Sequence, residues 1–228
     1  MLPEEKLVYD FTAAGLTFAC AESCTGGLVA ARTVNIAGAS AVFLGGAVTY
    51  ANSAKIAMTG VKESTLAAHG AVSEQTAKEM AQGILEKTGA DIAVSTTGIA
   101  GPDGATPTKP VGTVYIGYAT KKKIGARLCL FADKSRDEVR SLAASEALLT
   151  ALALADEIKG RFFKTARHIL LFCLASKSQY SVYNIMQRAC GGNNEQHQKN
   201  RSSHLRWRCS RNELGDKSGR SLCDKPRA

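Results

Sequence analysis

Residues 16–36 read LTFACAESCTGGLVAARTVNI. The first half, LTFACAES, is a short apolar run of small residues with a polar exit, the pattern of a buried strand over 16–21. TGGLVAARTVNI then continues as a helix with apolar residues on a small-residue face. A strand that passes into a helix through a tight polar turn is half of a βα unit, so this stretch argues for an α/β layer fold. Upstream, PEEKLVYDFTAA (3–14) opens with proline and two glutamates, as a helix start should, and Gly15 ends it.

Downstream the alternation continues. GASAVFLG reads as a loop or short helix, GGAVTYA (45–51) as a second strand, and NSAKIAMTG and KESTLAAHG as two helical pieces. VSEQTAKEMAQGILEKTG (72–89) has an acid in its first turn and a glycine stop, the marks of a helix. ADIAVSTTGIA (90–100) is a buried-type strand that ends in the glycine-rich loop GIAGPDGATPTKP. VGTVYIGYAT and IGARLCLF pair through a hairpin of Lys121, Lys122 and Lys123, and SRDEVRSLAASEALLTALALADEI closes the domain as a helix. The expected fold is therefore a layered α/β domain with a mixed sheet over residues 1–160, followed by a basic tail over 161–228.

Charge divides the chain at the same place. Residues 1–160 hold 15 Lys or Arg against 16 Asp or Glu, and residues 161–228 hold 14 against 4. The tail has no sustained periodicity and reads as largely disordered. No CxxC pair occurs among the seven cysteines, which supports neither a zinc site nor a disulfide framework and fits reduced thiols in the cytoplasm. The N-terminus lacks a signal-peptide h-region, and HILLFCLA is too short to span a bilayer, so no membrane partner is expected.

Four stretches carry possible chemistry. In AESCTGG, the Ser23-Cys24-Thr25 turn leaves backbone N–H groups at a helix start, which either hold an anion or are simply capped. Cys24 reads as a packing residue, since no histidine lies near it in sequence. In GASAVFLGGAVTYANSAK, a serine (Ser40), a tyrosine (Tyr50) and a lysine (Lys55) meet where a strand yields to a helix. A lysine in a first helical turn sits at the wrong end of the macrodipole. Such a residue is either a solvated surface lysine or one whose ammonium is destabilised, so that it can take a proton from a serine. STTGIAGPDG follows a buried strand, where α/β folds bind ligands, but it is neither a Walker A loop nor GxGxxG. Asp103 within it reads as a turn residue. In DKSRDEVR, Arg136 and Arg140 share a helix face, and Arg140 either clamps a phosphate or makes a surface bridge to Asp137 or Glu138.

Taken in order, AESCTGG, GASAVFLGG, VTYANSAK, HGAVSEQTAKEMA, STTGIAGPDG and KPVGTVYIG resemble the CinA C-terminal domain family, over about residues 3–159. Members of that family are nicotinamide-nucleotide amidohydrolases. They convert nicotinamide mononucleotide to nicotinate mononucleotide and ammonia in pyridine-nucleotide recycling. The resemblance implies a catalytic set of Ser40, Tyr50 and Lys55, and substrate contacts from Ser23, Thr97 and Arg140. The residues themselves leave open which serine attacks. No metal or cofactor is expected, and nicotinamide mononucleotide and further copies of the chain are the expected partners. The domain that longer members carry N-terminal to this one, and any pyrophosphatase activity associated with it, are not expected here. Residues 161–228 match nothing in the family. Two other readings stand beside the enzyme: a non-catalytic nucleotide-binding domain, and nonspecific nucleic-acid contact through the basic tail.

Overall fold

Five strands form one sheet in the order β2-β1-β3-β4-β5. The computed structural model describes the backbone of residues 1–175 and the side chains of residues 1–160. Met1–Ile169 form one compact unit. The strands are β1 (Phe18–Glu22), β2 (Phe43–Val48), β3 (Ile92–Gly98), β4 (Thr113–Thr120) and β5 (Lys123–Leu130). β2, β1 and β3 run parallel, and β3-β4-β5 is an antiparallel meander. The helices are α1 (Pro3–Ala14), α2 (Leu28–Val34), α3 (Asn52–Thr59), α4 (Glu63–His69), α5 (Glu74–Thr88) and α6 (Arg136–Ala175). The expected mixed-sheet α/β fold is the one observed.

Topology decides which face each helix covers. The chain moves from β1 outward to β2, then crosses back past β1 to reach β3. Right-handed crossovers in opposite directions place their helices on opposite faces. Accordingly Val29 of α2 shares a core with Leu7 and Phe11 of α1 and Leu148 of α6, while Met80, Ala81 and Ile84 of α5 fill a second core on the other face. Small sheet residues let α5 come close. A Cβ on Gly117 would collide with the Ala77 carbonyl of α5, and one on Gly83 of α5 with the Thr59 carbonyl.

β1 connects towards β2 and β3 towards β4, so the connections diverge where the parallel strands end. Ligands of doubly wound sheets bind at such a switch point. The exits of β1, β2 and β3 lie at this end, and the glycine-rich 99–112 connection and the start of α6 also reach it.

Several boundaries differ from the sequence reading. β2 begins at Phe43 and ends at Val48, so Tyr50 lies beyond the strand. Asn52 and Ser53 are the first residues of α3, and the N-cap is Ala51 with no side-chain bond. α2 starts only at Leu28, because Gly26 and Gly27 both take left-handed conformations (φ 62° and 97°) that cannot continue a helix. The closing helix runs on to Ala175 instead of stopping near residue 158. The other expectations for residues 161–228, disorder and nucleic-acid contact among them, lie outside the described side chains.

Candidate active site

The β1–α2 turn is organised by a residue the sequence reading passed over. Glu22, the last residue of β1, is 1% exposed. Its Oε2 accepts from Thr25 Oγ1 (2.6 Å) and from the backbone N–H groups of Gly27 and Val29 (both 3.0 Å). Its Oε1 accepts from the Ala30 N–H (2.8 Å). The first N–H groups of α2, which have no partner within a helix, are thus already occupied by the chain's own carboxylate. This turn is capped, not open to an anion. The available signal was an acid ending a strand, followed at once by a small-residue helix start.

With the turn held from beneath, Ser23 is fixed in front of it. Its N–H donates to the Thr96 carbonyl of β3 (2.9 Å), and the neighbouring Glu22 carbonyl accepts from the Thr49 N–H at the exit of β2 (2.7 Å). Three parallel strands are thereby tied at their ends. Thr25 Oγ1 and Thr96 Oγ1 lie 2.7 Å apart and add a second tie between β1 and β3.

Lys55 enters this junction from the first turn of α3. It is 1% exposed, and burial lowers its pKa below the ordinary lysine range. Its Nζ donates to the Thr49 carbonyl (2.8 Å), the Tyr50 carbonyl (3.2 Å) and Ser23 Oγ (3.0 Å). Carbonyls only accept. If the amine loses a proton, the lone pair has one neighbour able to donate to it, the Ser23 hydroxyl. The geometry pairs a buried amine with one alcohol, and such a pair can make that alcohol a nucleophile.

The remaining expected residues are dispersed around this pair. Tyr50 reaches Lys55 only through its backbone carbonyl; its ring is 62% exposed and its hydroxyl accepts from Arg136 Nη2 at 3.2 Å. A proton relay through its hydroxyl has no contact to support it. Arg136 also donates from Nη1 to the Gly101 carbonyl (2.6 Å), tying the glycine-rich loop to α6. Arg140 Nη2 donates to the Thr25 carbonyl (3.1 Å), beside the turn that carries Ser23. The two guanidinium groups therefore lie at the ends of the parallel strands. Thr97 is buried, and its hydroxyl donates to the Ala71 carbonyl (2.7 Å), a tether to the α4–α5 connection.

Ser40 is the exception. It is exposed in a short 3-10 turn, Ala39–Ala41, ahead of β2. Lys55 lies past the other end of that six-residue strand. A strand rises about 3.3 Å per residue, so roughly 20 Å separates the two. The expectation that Ser40 is the serine served by Lys55 is not met within the chain; Ser23 occupies that place. Cys24 is buried, and burial pushes its thiol up to about 12, which suits a packing residue and not a thiolate nucleophile.

Comparison with known proteins agrees with this architecture. The family description "CinA C-terminal domain" matches residues 3–154. A CinA-like protein of Chloroherpeton thalassium is 63% identical over 124 residues, covering 54% of this chain and 30% of the relative. A CinA-like protein of Chlorobaculum tepidum is 51% identical over 156 residues, covering 65% and 37%. The chain thus spans about a third of the length of these curated relatives. Among solved structures, the competence/damage inducible protein CihA from Agrobacterium tumefaciens superposes with a TM-score of 0.65 at 43% identity, covering 67% of this chain and 93% of that one. A CinA superfamily protein from Escherichia coli superposes with a TM-score of 0.64 at 32% identity, covering 67% and 88%. Among the described residues, no helix is long and apolar enough to cross a membrane.

Proposed function

Since this chain belongs to the CinA C-terminal domain family, we propose that it is an amidohydrolase that converts nicotinamide mononucleotide and water to nicotinate mononucleotide and ammonia, with Ser23 as nucleophile and Lys55 as base. The observation that carries this reading is the buried Lys55 amine 3.0 Å from the Ser23 hydroxyl, with carbonyls as its other partners.

The chemistry follows from those atoms. Neutral Lys55 takes the Ser23 proton as Oγ attacks the carboxamide carbon, giving a tetrahedral oxyanion. Lys55, now protonated, returns that proton to the departing nitrogen, and ammonia leaves an acyl-serine ester. Water then attacks the ester, again with Lys55 as base, and releases the carboxylate and a free Ser23. The two carbonyls at Lys55 hold its ammonium form between the steps, and Glu22 keeps the serine turn from moving. Arg136 and Arg140 are positioned to pair with the nucleotide phosphate. A role in pyridine-nucleotide recycling, inside the cytoplasm, follows from the same reading.

Ammonia release from nicotinamide mononucleotide by the purified full-length chain tests the proposal. Turnover that disappears in Ser23→Ala and Lys55→Met supports it. Thermal stabilisation by the nucleotide without ammonia release would instead assign a binding domain.

A further inference from the structure

Tyr50 is held at both ends. Its carbonyl accepts from Lys55 Nζ (3.2 Å), as does the carbonyl of Thr49 before it (2.8 Å). The Thr49 N–H in turn donates to the Glu22 carbonyl (2.7 Å), so buried partners fix the backbone from which the ring projects. At the far end the phenol oxygen accepts from Arg136 Nη2 (3.2 Å), and Arg136 is itself anchored on the Gly101 carbonyl (2.6 Å). Yet the residue is 62% exposed, and among the described residues no other ring stacks on it. A single exposed aromatic side chain carries no meaning by itself. This one is pinned at backbone and hydroxyl, beside the buried Lys55 amine, while most of its surface stays in water.

We propose that Tyr50 is the stacking platform for the pyridinium ring of the substrate, and that it reads the positive charge of that ring through a cation–π contact. The assignment rests on the reading of this chain as an amidohydrolase of nicotinamide mononucleotide. Its support is an order of contacts. Lys55 touches the Tyr50 backbone, and the Tyr50 hydroxyl touches Arg136. Reacting pair, aromatic ring and guanidinium thus follow one another. Carboxamide, pyridinium and phosphate do the same along the nucleotide, with a ribose between the last two. With the carboxamide at Ser23 and the phosphate at Arg136, the pyridinium that joins them lies against the tyrosine.

The charge makes this contact selective. The face of a tyrosine ring is negative and attracts a cation within about 6 Å of its centre. Arg136 alone would repel a cationic ring, and the tyrosine face offsets that repulsion. Tyr50 is thereby a specificity-determining residue, whose hydroxyl holds the ring in place and moves no proton.

Calorimetric binding to the full-length Ser23→Ala protein, which leaves the ligand unconsumed, tests this. The probes are nicotinamide mononucleotide and its reduced dihydro form, which keeps carboxamide, ribose and phosphate but has an uncharged ring. The oxidised form is expected to bind about fivefold or more tightly than the reduced one. Adding Tyr50→Phe should keep that preference, because the ring face remains. Adding Tyr50→Leu, with unchanged circular dichroism, should reduce it to about twofold or less. Equal affinity for the two forms overturns the assignment, and so does a preference that survives Tyr50→Leu. A preference that Tyr50→Phe abolishes overturns it as well and returns the role to the hydroxyl. Should Tyr50→Leu fail to fold, the parent and Tyr50→Phe measurements still decide. Ammonia release by the unmutated chain separates this assignment from the reaction. Release without a charge preference strikes the Tyr50 platform alone. A charge preference without release keeps the platform and strikes the reaction.

Discussion

Lys55 Nζ and Ser23 Oγ stand 3.0 Å apart although 32 residues separate them along the chain. Between the two lie a helix, a 3-10 turn and the whole of β2. They meet because β1 and β2 run parallel, so the residues that follow each strand emerge at the same end of the sheet.

Removing either partner of this pair is expected to abolish turnover while leaving the fold intact. Lys55→Met should lower kcat by roughly 10²–10⁴-fold, the usual contribution of a positioned acid–base group. Ser23→Ala should lower it at least as far, since no acyl-enzyme can then form. Ser40→Ala should cost much less than either. Steady-state ammonia release with the three variants measures this, and a Ser40→Ala loss that matches Ser23→Ala would reverse the assignment.

Burial lowers the Lys55 pKa, and the amine serves as base only when neutral. The expected kcat/KM therefore rises with pH and levels off above the folded-state pKa, which lies below that of a free lysine. Stability carries the same sign. The unfolded chain binds more protons between the folded value and the unfolded one, about 10.4, so this residue's contribution grows with pH across that window. Both trends should flatten in Lys55→Met. An activity profile with no rising limb would argue against a lysine base.

Glu22 joins α2 to β1 through one hydroxyl and three backbone donors. Glu22→Gln keeps the volume but turns an amide NH₂ towards N–H groups that need an acceptor. Each buried donor left unpaired costs about 1–3 kcal/mol. Denaturant unfolding should register a loss of that order or larger. Turnover should also fall, because the Ser23 turn loses its support.

Arg136 and Arg140 should act on binding more than on chemistry. Arg136→Gln and Arg140→Gln are each expected to raise KM for the nucleotide about tenfold or more, on the scale of a charge-assisted hydrogen bond of about 1.5–3 kcal/mol. The effect should be absent with the nucleoside that lacks the phosphate. Equal effects on nucleotide and nucleoside would remove the phosphate from these two arginines.

Arg32 joins three helices. It pairs with the Glu4 carboxylate of α1 and donates to Ser145 Oγ of α6 at 2.8 Å. The Arg32 hydrogen bond lowers the Glu4 pKa. The stabilisation is present above the unfolded carboxylate pKa and is lost as pH falls through the folded one. Arg32→Met should therefore destabilise at neutral pH and move acid unfolding to a higher pH. Circular dichroism followed through an acid titration reads both.

Much of the architecture was legible in the residues. Period and punctuation set most elements: Pro3 and Gly15 bound α1, Gly89 ends α5, and the alternation of strand and helix followed by a β meander announces a mixed sheet. These are local properties, carried by backbone sterics and by which face of an element is apolar. The presence of Lys55 at an uncomfortable helix start was also visible. Its partner was not. Ser40 is 15 residues from Lys55 in the sequence and Ser23 is 32, and the residues alone left open which serine attacks. A strand stands between Ser40 and Lys55 and carries them to opposite ends of the sheet. Parallel pairing, which depends on a crossover and on long-range burial, returns Ser23 to the amine. Glu22 was hidden for the same reason. A carboxylate ending an apolar strand has no local excuse, and only the arrival of the α2 N-terminus above it supplies the donors that let it stay buried.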